Sequence, residues 1–431
     1  MSKQLLILGN GFDLHCGLKS SYKDFFRYTI LDTIGERFNL AQMKIGVSGF
    51  WEGLLMEYYK ALGNLDYSWC DIETIIKETL YCIYCGNDKK SVNINNGLWL
   101  KALNSTVYRK NPPEELININ DPIKRYLFMC CFNFLYYLQS GQCSDFCKLN
   151  LLMQSLLQEL SNFEKRFCKY VKDCIFDKQN NINEQYIVSA VNLLAYITGF
   201  STPDFENIDE MMDIEEEDDE EEISHNVYHP IVRENQVLSK EFNKLRYTNI
   251  LSFNYTAIFD ILGVECPCAY SNVHGKLCNK QCSEDCSSSS VIFGIDDTLI
   301  QSQEANSMLR LFSKTYRKMS DTSTPISILP KNDGQPIEIK FYGHSLSEAD
   351  YSYFQSIFDF YNLYDNNNVS LLFYYSKGYE QNDAIYQLIN SYGKTLDNKD
   401  QGKNLIHKLL LENRLKIVVV PDNIIEVPDN I

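Results

Sequence analysis

The sequence of 431 residues has little basic charge and no long apolar run. It carries 40 lysines and arginines against 57 aspartates and glutamates, so its formal net charge is -17. Nucleic-acid-binding proteins usually present a basic surface, and we therefore expect no nucleic-acid partner. No apolar stretch approaches the ~20 residues that cross a bilayer, and no basic segment followed by an apolar one opens the chain. We expect a cytoplasmic protein without membrane contact.

Proline and glycine are also scarce, at 11 and 20 residues, whereas 45% of the chain is hydrophobic. This composition and the chain length predict two folded subdomains that are rich in helix. Residues 46–205 repeat apolar side chains at three- and four-residue spacing, which is typical of amphipathic helices. The apolar faces of such helices could pair between copies of the chain, so a homo-oligomer is left open.

The segment 206–226 has a different composition, because it includes the acidic run EEEDDEEE at 215–222. Low hydrophobicity and a block of like charges predict an acidic flexible loop. The alternative interpretation is that this loop gates a site or binds a basic partner.

Short apolar segments rich in β-branched and aromatic residues occur at both ends of the chain, and we interpret them as strands. They are 3–9, 247–255, 289–295, 337–346, 369–376 and 415–421. Helical patterns separate several of them, which predicts a parallel α/β sheet. We predict one α/β domain from residues 1–45 and 240–431, with a helical insertion at 46–205. Ligands of such sheets bind at the carboxyl ends of the strands.

A glycine turn follows the first predicted strand, in LGNGFDLHCGL, with Gly9 and Gly11 at the turn. A dinucleotide fingerprint would need a further glycine at position 14, which is Leu14 here, and no Walker phosphate loop is present. Glycines at such a turn let a phosphate approach the backbone amides. By itself the turn fits a phosphate site and a purely structural turn equally well.

Three further motifs place polar residues at the ends of predicted strands. They contribute Ser252, Asn254 and Thr256 from SFNYT, His274 and Gly275 from NVHG, and Gly343, His344 and Ser345 from YGHSL. Each motif alone also fits a turn or a helix cap. Because the carboxyl ends of parallel strands meet at one edge, the four motifs together predict a nucleotide site there.

The same four motifs resemble those of the bacteriophage abortive-infection AbiH family. The matching stretches are LGNGFDLHCGLKSSYKDF (8–25), SFNYT (252–256), NVHG (272–275) and FYGHSLSEADYSYF (341–354), in that order. The resemblance implies an anti-phage protein that causes cell suicide or dormancy during infection. The motifs identify neither the phage signal that triggers it nor its reaction.

A more distant resemblance, to the sirtuin fold, implies a Rossmann-type α/β domain that takes NAD. The residues implied to bind NAD are Gly9, Asn10, Gly11, Phe12, Ser252, Gly343, His344 and Ser345. Asn254 would hold a water or a ribose hydroxyl, His274 would act as general base on the ribose, and Asp13 would stabilise positive charge on it.

The sequence departs from the sirtuin pattern at two positions. Lys19 stands where sirtuins have proline, and Asp13 stands where a serine is usual. No groove for an acylated lysine is evident, and the helical region resembles that of sirtuin-like phage-defence effectors. These features favour hydrolysis of NAD to nicotinamide and ADP-ribose, a reaction that requires no metal. The alternative is a non-catalytic sensor that binds NAD or ADP-ribose in phage defence.

The segment around His274 is rich in cysteine. Four of these cysteines, Cys268, Cys278, Cys282 and Cys286, are candidate zinc ligands. Their spacing after His274 is C-x3-C-x3-C and differs from the usual signature of two C-x2-C pairs. Reduced thiols on a loop are therefore the expected state, since the cytosol keeps thiols reduced, and a structural zinc site is the alternative.

Overall fold

The structure is a computed structural model of the chain. It describes residues 2–21, 24–25, 28, 49–61, 72–84, 98, 101–102, 121–138, 145–176, 183–199, 245, 247–262, 266, 268–277, 290–295, 309–319, 327–347, 350–421 and 424.

The described residues form strands and α-helices in an order that begins and ends with a strand. The elements are β1 (Lys3–Leu8), α1 (Gly11–His15), α2 (Phe50–Ala61), α3 (Ile72–Tyr84), α4 (Pro122–Leu138), α5 (Asp145–Ile175), α6 (Glu184–Thr198), β2 (Thr248–Ser252), α7 (Ile258–Leu262), β3 (Tyr270–Asn272), a 3₁₀ helix (Arg310–Phe312), α8 (Lys314–Lys318), β4 (Ile337–Tyr342), α9 (Tyr351–Phe360), β5 (Val369–Ser376), α10 (Asn382–Thr395), α11 (Lys399–Leu411) and β6 (Leu415–Val420).

The strands build one parallel sheet of six strands in the order β3-β2-β1-β4-β5-β6. β1 is internal, because Leu8 lies opposite Ser252 of β2 on one side and Tyr342 of β4 on the other. From β1, the chain adds β2 and β3 on one side of the sheet and then β4, β5 and β6 on the other side. The strand order therefore reverses between β1 and β4. This confirms the predicted parallel α/β sheet. Doubly wound dinucleotide-binding sheets have the same strand order and bind ligands where the order reverses.

One predicted strand, 289–295, is wrong. The described residues 290–295 lie outside the strands of the sheet. Phe293 N donates to Glu164 Oε1 at 2.7 Å, and Phe293 O accepts from Arg317 at 2.7 Å. Side chains therefore satisfy the Phe293 backbone, which removes the need for a neighbouring strand. The sheet instead gains β3, a strand of three residues that ends at Asn272, the first residue of the NVHG motif, and that the sequence pattern did not reveal.

Helices cover both faces of the sheet. One face carries Ile7, Ile339 and Phe373, which pack with α9, α10 and α11 in a single apolar core. The other face carries Gln4 and Lys340, whose side chains donate to the last carbonyls of α6. The alternation of side chains along β1 and β4 explains this division, since successive residues of a strand point to opposite faces.

The chain divides into two compact units. The first contains Met1–Leu18, Cys174–Gln281 and Thr324–Ile431, and the second contains Lys19–Asp173 and Cys282–Ser323. The sheet, α6 and the candidate site residues of all four motifs belong to the first unit. The predicted domain boundaries stay predictions, and the predicted acidic loop at 206–226 lies outside the described residues.

The second unit is mostly helical where it is described, and buried polar contacts accompany its apolar core. The fully buried Trp51 donates Nε1–H to Leu156 O at 3.2 Å. Glu164 of α5 receives two hydrogen bonds from the Arg317 guanidinium, at 2.6 and 2.7 Å. Burial raises the pKa of Glu164, and this paired guanidinium opposes the rise. Within the described residues, no helix has the length and apolarity that crossing a membrane requires.

Candidate functional site

The glycine turn after β1 packs backbone to backbone against the end of β4. Gly9 N donates to Tyr342 O at 2.9 Å, and Phe12 N donates to Gly9 O at 2.9 Å. Gly11 N donates to Gly343 O at 2.8 Å. A Cβ at Gly9 would lie 2.6 Å from Gly343 O, and one at Gly11 would lie 2.7 Å from Gly343 Cα. This close approach accounts for both glycines, and it commits the three amides to bonds within the protein.

The end of β4 has an unusual backbone. Gly343 and Leu346 both adopt left-handed conformations, with φ of 71° and 56°. A positive φ is strained for a bulky residue such as leucine. Leu346 N donates to His344 Nδ1 at 2.9 Å, and this bond holds the turn in place. Ser345 lies between them with its side chain exposed at the carboxyl edge of the sheet. Strained backbone of this kind concentrates at functional sites.

Asp13 is a buried carboxyl group in α1, with 1% of its surface exposed. Tyr186 from α6 donates its hydroxyl to Asp13 Oδ1 at 2.9 Å. Thr256 donates its hydroxyl to Asp13 Oδ2 at 2.6 Å. Burial raises the pKa of Asp13 from 3.8 to about 6, and the two hydroxyl groups only partly oppose that rise. The group is therefore mostly ionised above neutral pH and mostly protonated below pH 5.

The turn after β2 is held by Asn272 of β3. Asn272 Nδ2 donates to Asn254 O at 2.8 Å and to Thr256 O at 3.0 Å, which fixes the orientation of this amide. Ser252 Oγ accepts from Asn254 N at 3.2 Å. Asn254 Oδ1 and Asn272 Oδ1 are buried and accept no hydrogen bond from any described residue. Buried acceptors of this kind normally have a partner, so a water or a ligand donor fits here.

His274 lies in a second polar group at the same edge of the sheet. His274 Nε2 lies 2.9 Å from Asp350 Oδ1, and His344 Nε2 lies 3.3 Å from Asp350 Oδ2. All three side chains are buried. The Phe253 ring contacts both imidazoles edge to face, with centroids 5.4 and 4.4 Å away. One carboxylate thus joins the NVHG and YGHSL motifs.

The candidate residues fall into two groups at the carboxyl edge, held together by hydrogen bonds and by a close contact between His344 and Asp350. Asp13 lies with the β2 turn and is bound by α6, which packs on one face of the sheet. His274 and His344 lie with Asp350 beside α9, which packs on the other face. The glycine contact at Gly11 and Gly343 lies where the strand order reverses. Among the described residues, no hydrogen bond joins Asp13 to His274, and their shared role stays a prediction.

Three residues of these groups were absent from the predicted site. Tyr186 gave no signal beyond the amphipathic pattern of its helix, and Asn272 lies in the strand that the pattern missed. Asp350 resembles an ordinary helix cap in the sequence, because it directly precedes α9. Of the three, Asp350 alone could have been predicted from the sequence, since an acidic residue close to a motif histidine is a candidate hydrogen-bond partner of a histidine.

The structure describes one of the four candidate zinc ligands. Cys268 is described, and its Sγ lies 3.4 Å from that of Cys266. Cys278, Cys282 and Cys286 lie outside the described residues. In the part of the chain that the structure describes, no three cysteine, histidine or acidic side chains gather as metal ligands would. Reduced thiols therefore stay the prediction here, with structural zinc as the alternative.

The arrangement can carry out proton transfer at the edge of the sheet. A buried imidazole bonded to a carboxylate is the usual form of a positioned general base. The buried acceptor Asn254 Oδ1 suits a hydroxyl or a water. Asp13 adds a negative charge above its raised pKa of about 6. Together these groups offer a base, an acceptor and a negative charge, whereas the turn amides at Gly9 and Gly11 are already bonded within the protein.

Fold and site define an α/β protein with a six-stranded parallel sheet and a buried polar site at its carboxyl edge. The family model for bacteriophage abortive infection AbiH matches residues 5–126 and 133–403, so the chain belongs to the AbiH family. The expected AbiH resemblance is confirmed, whereas the resemblance to sirtuins stays a prediction. No curated protein and no solved structure matches the chain.

Proposed function

We propose that this AbiH-family protein is an abortive-infection effector that binds NAD at the carboxyl edge of its sheet and hydrolyses it to nicotinamide and ADP-ribose. One observation carries the proposal. All four motifs lie at the carboxyl ends of β1 to β4, around the point where the strand order reverses. Sheets of this order bind nucleotides at that point.

His274 is the proposed general base. Its imidazole is buried at the edge of the sheet and bonded to Asp350. A base in this position can take a proton from water or from a ribose hydroxyl, an assistance typically worth ~10²–10⁴-fold in rate. Nicotinamide leaves as a neutral molecule, so the protein needs to orient the ribose and supply an activated oxygen.

Asn254 and Asp13 are the proposed partners of the ribose. Asn254 Oδ1 is a buried acceptor that no described residue satisfies, and it suits a ribose hydroxyl or the attacking water. Asp13 has both oxygens bonded to hydroxyl groups, so its contribution is the field of its negative charge. A negative charge stabilises the positive charge that develops on the ribose as nicotinamide leaves.

The experiment is to incubate the purified protein with NAD and to measure free nicotinamide by chromatography, alone and with extract from phage-infected cells. The His274→Gln protein should lose at least ~100-fold in rate, since the glutamine cannot act as a base. His407→Gln is the matched control because His407 is exposed on α11, and its rate should equal that of the parent.

The same variants test the defence role in cells. The parent should lower the phage yield and deplete cellular NAD during infection, and His407→Gln should do the same. Expression of His274→Gln should do neither. Protection by His274→Gln at the parent's level, with NAD unchanged in both strains, would contradict the proposed reaction.

A sensor that binds NAD or ADP-ribose without turnover is the second candidate. The amides of Gly9, Gly11 and Phe12 are bonded within the protein, and both oxygens of Asp13 are occupied. With both oxygens of Asp13 occupied, the carboxylate makes no direct bond to a reacting ribose, which favours binding without turnover. Saturable calorimetric binding of NAD or ADP-ribose, with no nicotinamide released under any condition, would favour this candidate.

A further inference from the structure

We propose that Asp350 is a positioning residue that holds His274 in a single tautomer, with the proton on Nε2 and with Nδ1 as the basic nitrogen. The inference rests on the proposed function for its catalytic consequence. Its structural part concerns the apoprotein and stands independently of NAD.

Asp350 occupies a helix-capping position without capping the helix. It directly precedes α9, where the side chain of an aspartate commonly accepts from the first backbone amides. Here its side chain makes no capping hydrogen bond. Its two oxygens lie instead 2.9 Å from His274 Nε2 and 3.3 Å from His344 Nε2. The carboxylate is therefore turned away from its ordinary local role and toward the two motif histidines.

His344 has its tautomer fixed by the backbone. Leu346 N donates to His344 Nδ1 at 2.9 Å, so Nδ1 must carry a lone pair. The proton of the neutral ring is then on Nε2, which faces Asp350 Oδ2. Leu346 is held in a left-handed conformation while it makes this bond. The strained turn thus presents one fixed donor to the carboxylate.

The tautomer of His274 follows from the carboxylate. An ionised carboxyl group only accepts hydrogen bonds, so His274 Nε2 must donate to Asp350 Oδ1. The neutral imidazole then has its lone pair on Nδ1, and this is the nitrogen that could accept a proton from the substrate. The pair is 4% and 7% exposed, so bulk water competes little for these bonds.

Replacing the carboxylate by an amide should reverse the tautomer of His274. The side-chain amide of the Asp350→Asn protein would offer one acceptor and one donor to two rings that both present Nε2–H. His344 cannot change, because Leu346 N still needs Nδ1 as its acceptor. His274 must therefore move its proton to Nδ1 and accept the amide hydrogen at Nε2. The substitution keeps the volume, replaces one acceptor by a donor and removes the negative charge.

The test is ¹⁵N NMR of protein labelled at histidine, because protonated and unprotonated ring nitrogens have well separated chemical shifts. In the parent, His274 should show protonated Nε2 and unprotonated Nδ1. In Asp350→Asn the two assignments should exchange for His274 and stay unchanged for His344. Asp359→Asn is the matched control, since Asp359 is exposed on α9. It should leave both rings as in the parent.

The kinetic test uses the nicotinamide release of the parent. Asp350→Asn should lower kcat by about 100-fold with KM within about threefold, because the basic nitrogen is lost while the NAD contacts remain. An unchanged kcat, or a parent whose His274 carries its proton on Nδ1, would overturn the inference. If Asp350→Asn fails to fold, the inference is tested by the tautomer of His274 in the parent alone. If the parent releases no nicotinamide but shows the expected tautomers, the result contradicts the proposed reaction and still supports the positioning role of Asp350.

Discussion

Two buried carboxylates at the edge of the sheet differ in what satisfies them. Asp350 lies between two imidazoles, whereas the carboxylate of Asp13 is bonded, within the described residues, to the hydroxyl groups of Tyr186 and Thr256. Neutral hydroxyl groups recover only part of the hydration that a carboxylate loses on burial. This is why the pKa of Asp13 rises to about 6 in spite of two hydrogen bonds.

Because its pKa is raised, Asp13 should lower the free energy of unfolding as pH increases. In the window between 3.8 and about 6, the folded state binds this proton and the unfolded state has released it. Stability therefore falls through that window and levels off above it. The rise of the pKa from 3.8 to about 6 corresponds to a loss of roughly 3 kcal/mol in the free energy of unfolding across this window. Asp13→Asn lacks this titration. Between pH 4 and pH 7, the free energy of unfolding of Asp13→Asn should therefore rise by about 2–3 kcal/mol relative to that of the parent.

Urea unfolding of both proteins across this pH range checks the prediction. Asp24→Asn provides a control at an acidic residue that is not buried. A difference between parent and Asp13→Asn that stays constant with pH would show that the carboxyl group titrates normally.

At the scale of single elements, α6 depends on the sheet to satisfy its last turn. The last carbonyls of a helix have no partner within it. Lys340 Nζ donates to Ile197 O at 2.9 Å, and Gln4 Nε2 donates to Thr198 O at 3.2 Å. Both donors come from strands β4 and β1 at the centre of the sheet. Because α6 also carries Tyr186, these bonds help to place the hydroxyl that binds Asp13.

Lys340→Met should loosen α6 and lower stability by about 1–3 kcal/mol, since a buried carbonyl loses a charged donor while the chain length is kept. Hydrogen exchange of the amides in α6 should accelerate. Lys416→Met is the control, because Lys416 is exposed on β6 and its removal should change neither quantity. Equal exchange in α6 of the Lys340→Met protein and the parent would argue against this anchoring.

For the whole molecule, the position of β1 has a consequence for cleavage. The acidic segment 206–226 separates β1 from the other five strands in the sequence. In the sheet, β1 pairs along its length with both β2 and β4. Its residues Leu5, Leu6 and Ile7 are fully buried. A chain cut between β1 and β2 therefore keeps its central strand bound on both sides.

Limited digestion with a glutamate-specific protease should cut first within 206–226, where the sequence predicts a flexible loop. The two fragments, each about half of the chain, should elute together on size exclusion and separate only in denaturant. Protection of this segment would contradict the loop, and early separation of the fragments would contradict the pairing of β1.

The sequence by itself determined the character of the sheet. Strand patterns at 3–9, 369–376 and 415–421 match β1, β5 and β6 closely. β1 and β5 are largely buried, and buried parallel strands are continuous apolar runs. β6 is a largely exposed edge strand, and its β-branched residues carry the signal. The four motifs were also recognisable, since each is short and contiguous. Membership of the AbiH family follows from the same local information, spread along most of the chain.

Only the tertiary structure decided which side chains meet. Asp13 is bonded to Tyr186, 173 residues away, and His274 to Asp350, 76 residues away. No periodicity records such contacts, because they depend on how α6 and α9 pack on opposite faces of the sheet. The predicted strand at 289–295 was wrong for the same reason. Its apolar pattern suits a buried segment. The backbone of Phe293 is satisfied by side chains that are distant in the sequence, and Ile295 makes an isolated bridge with Ser313 outside the sheet.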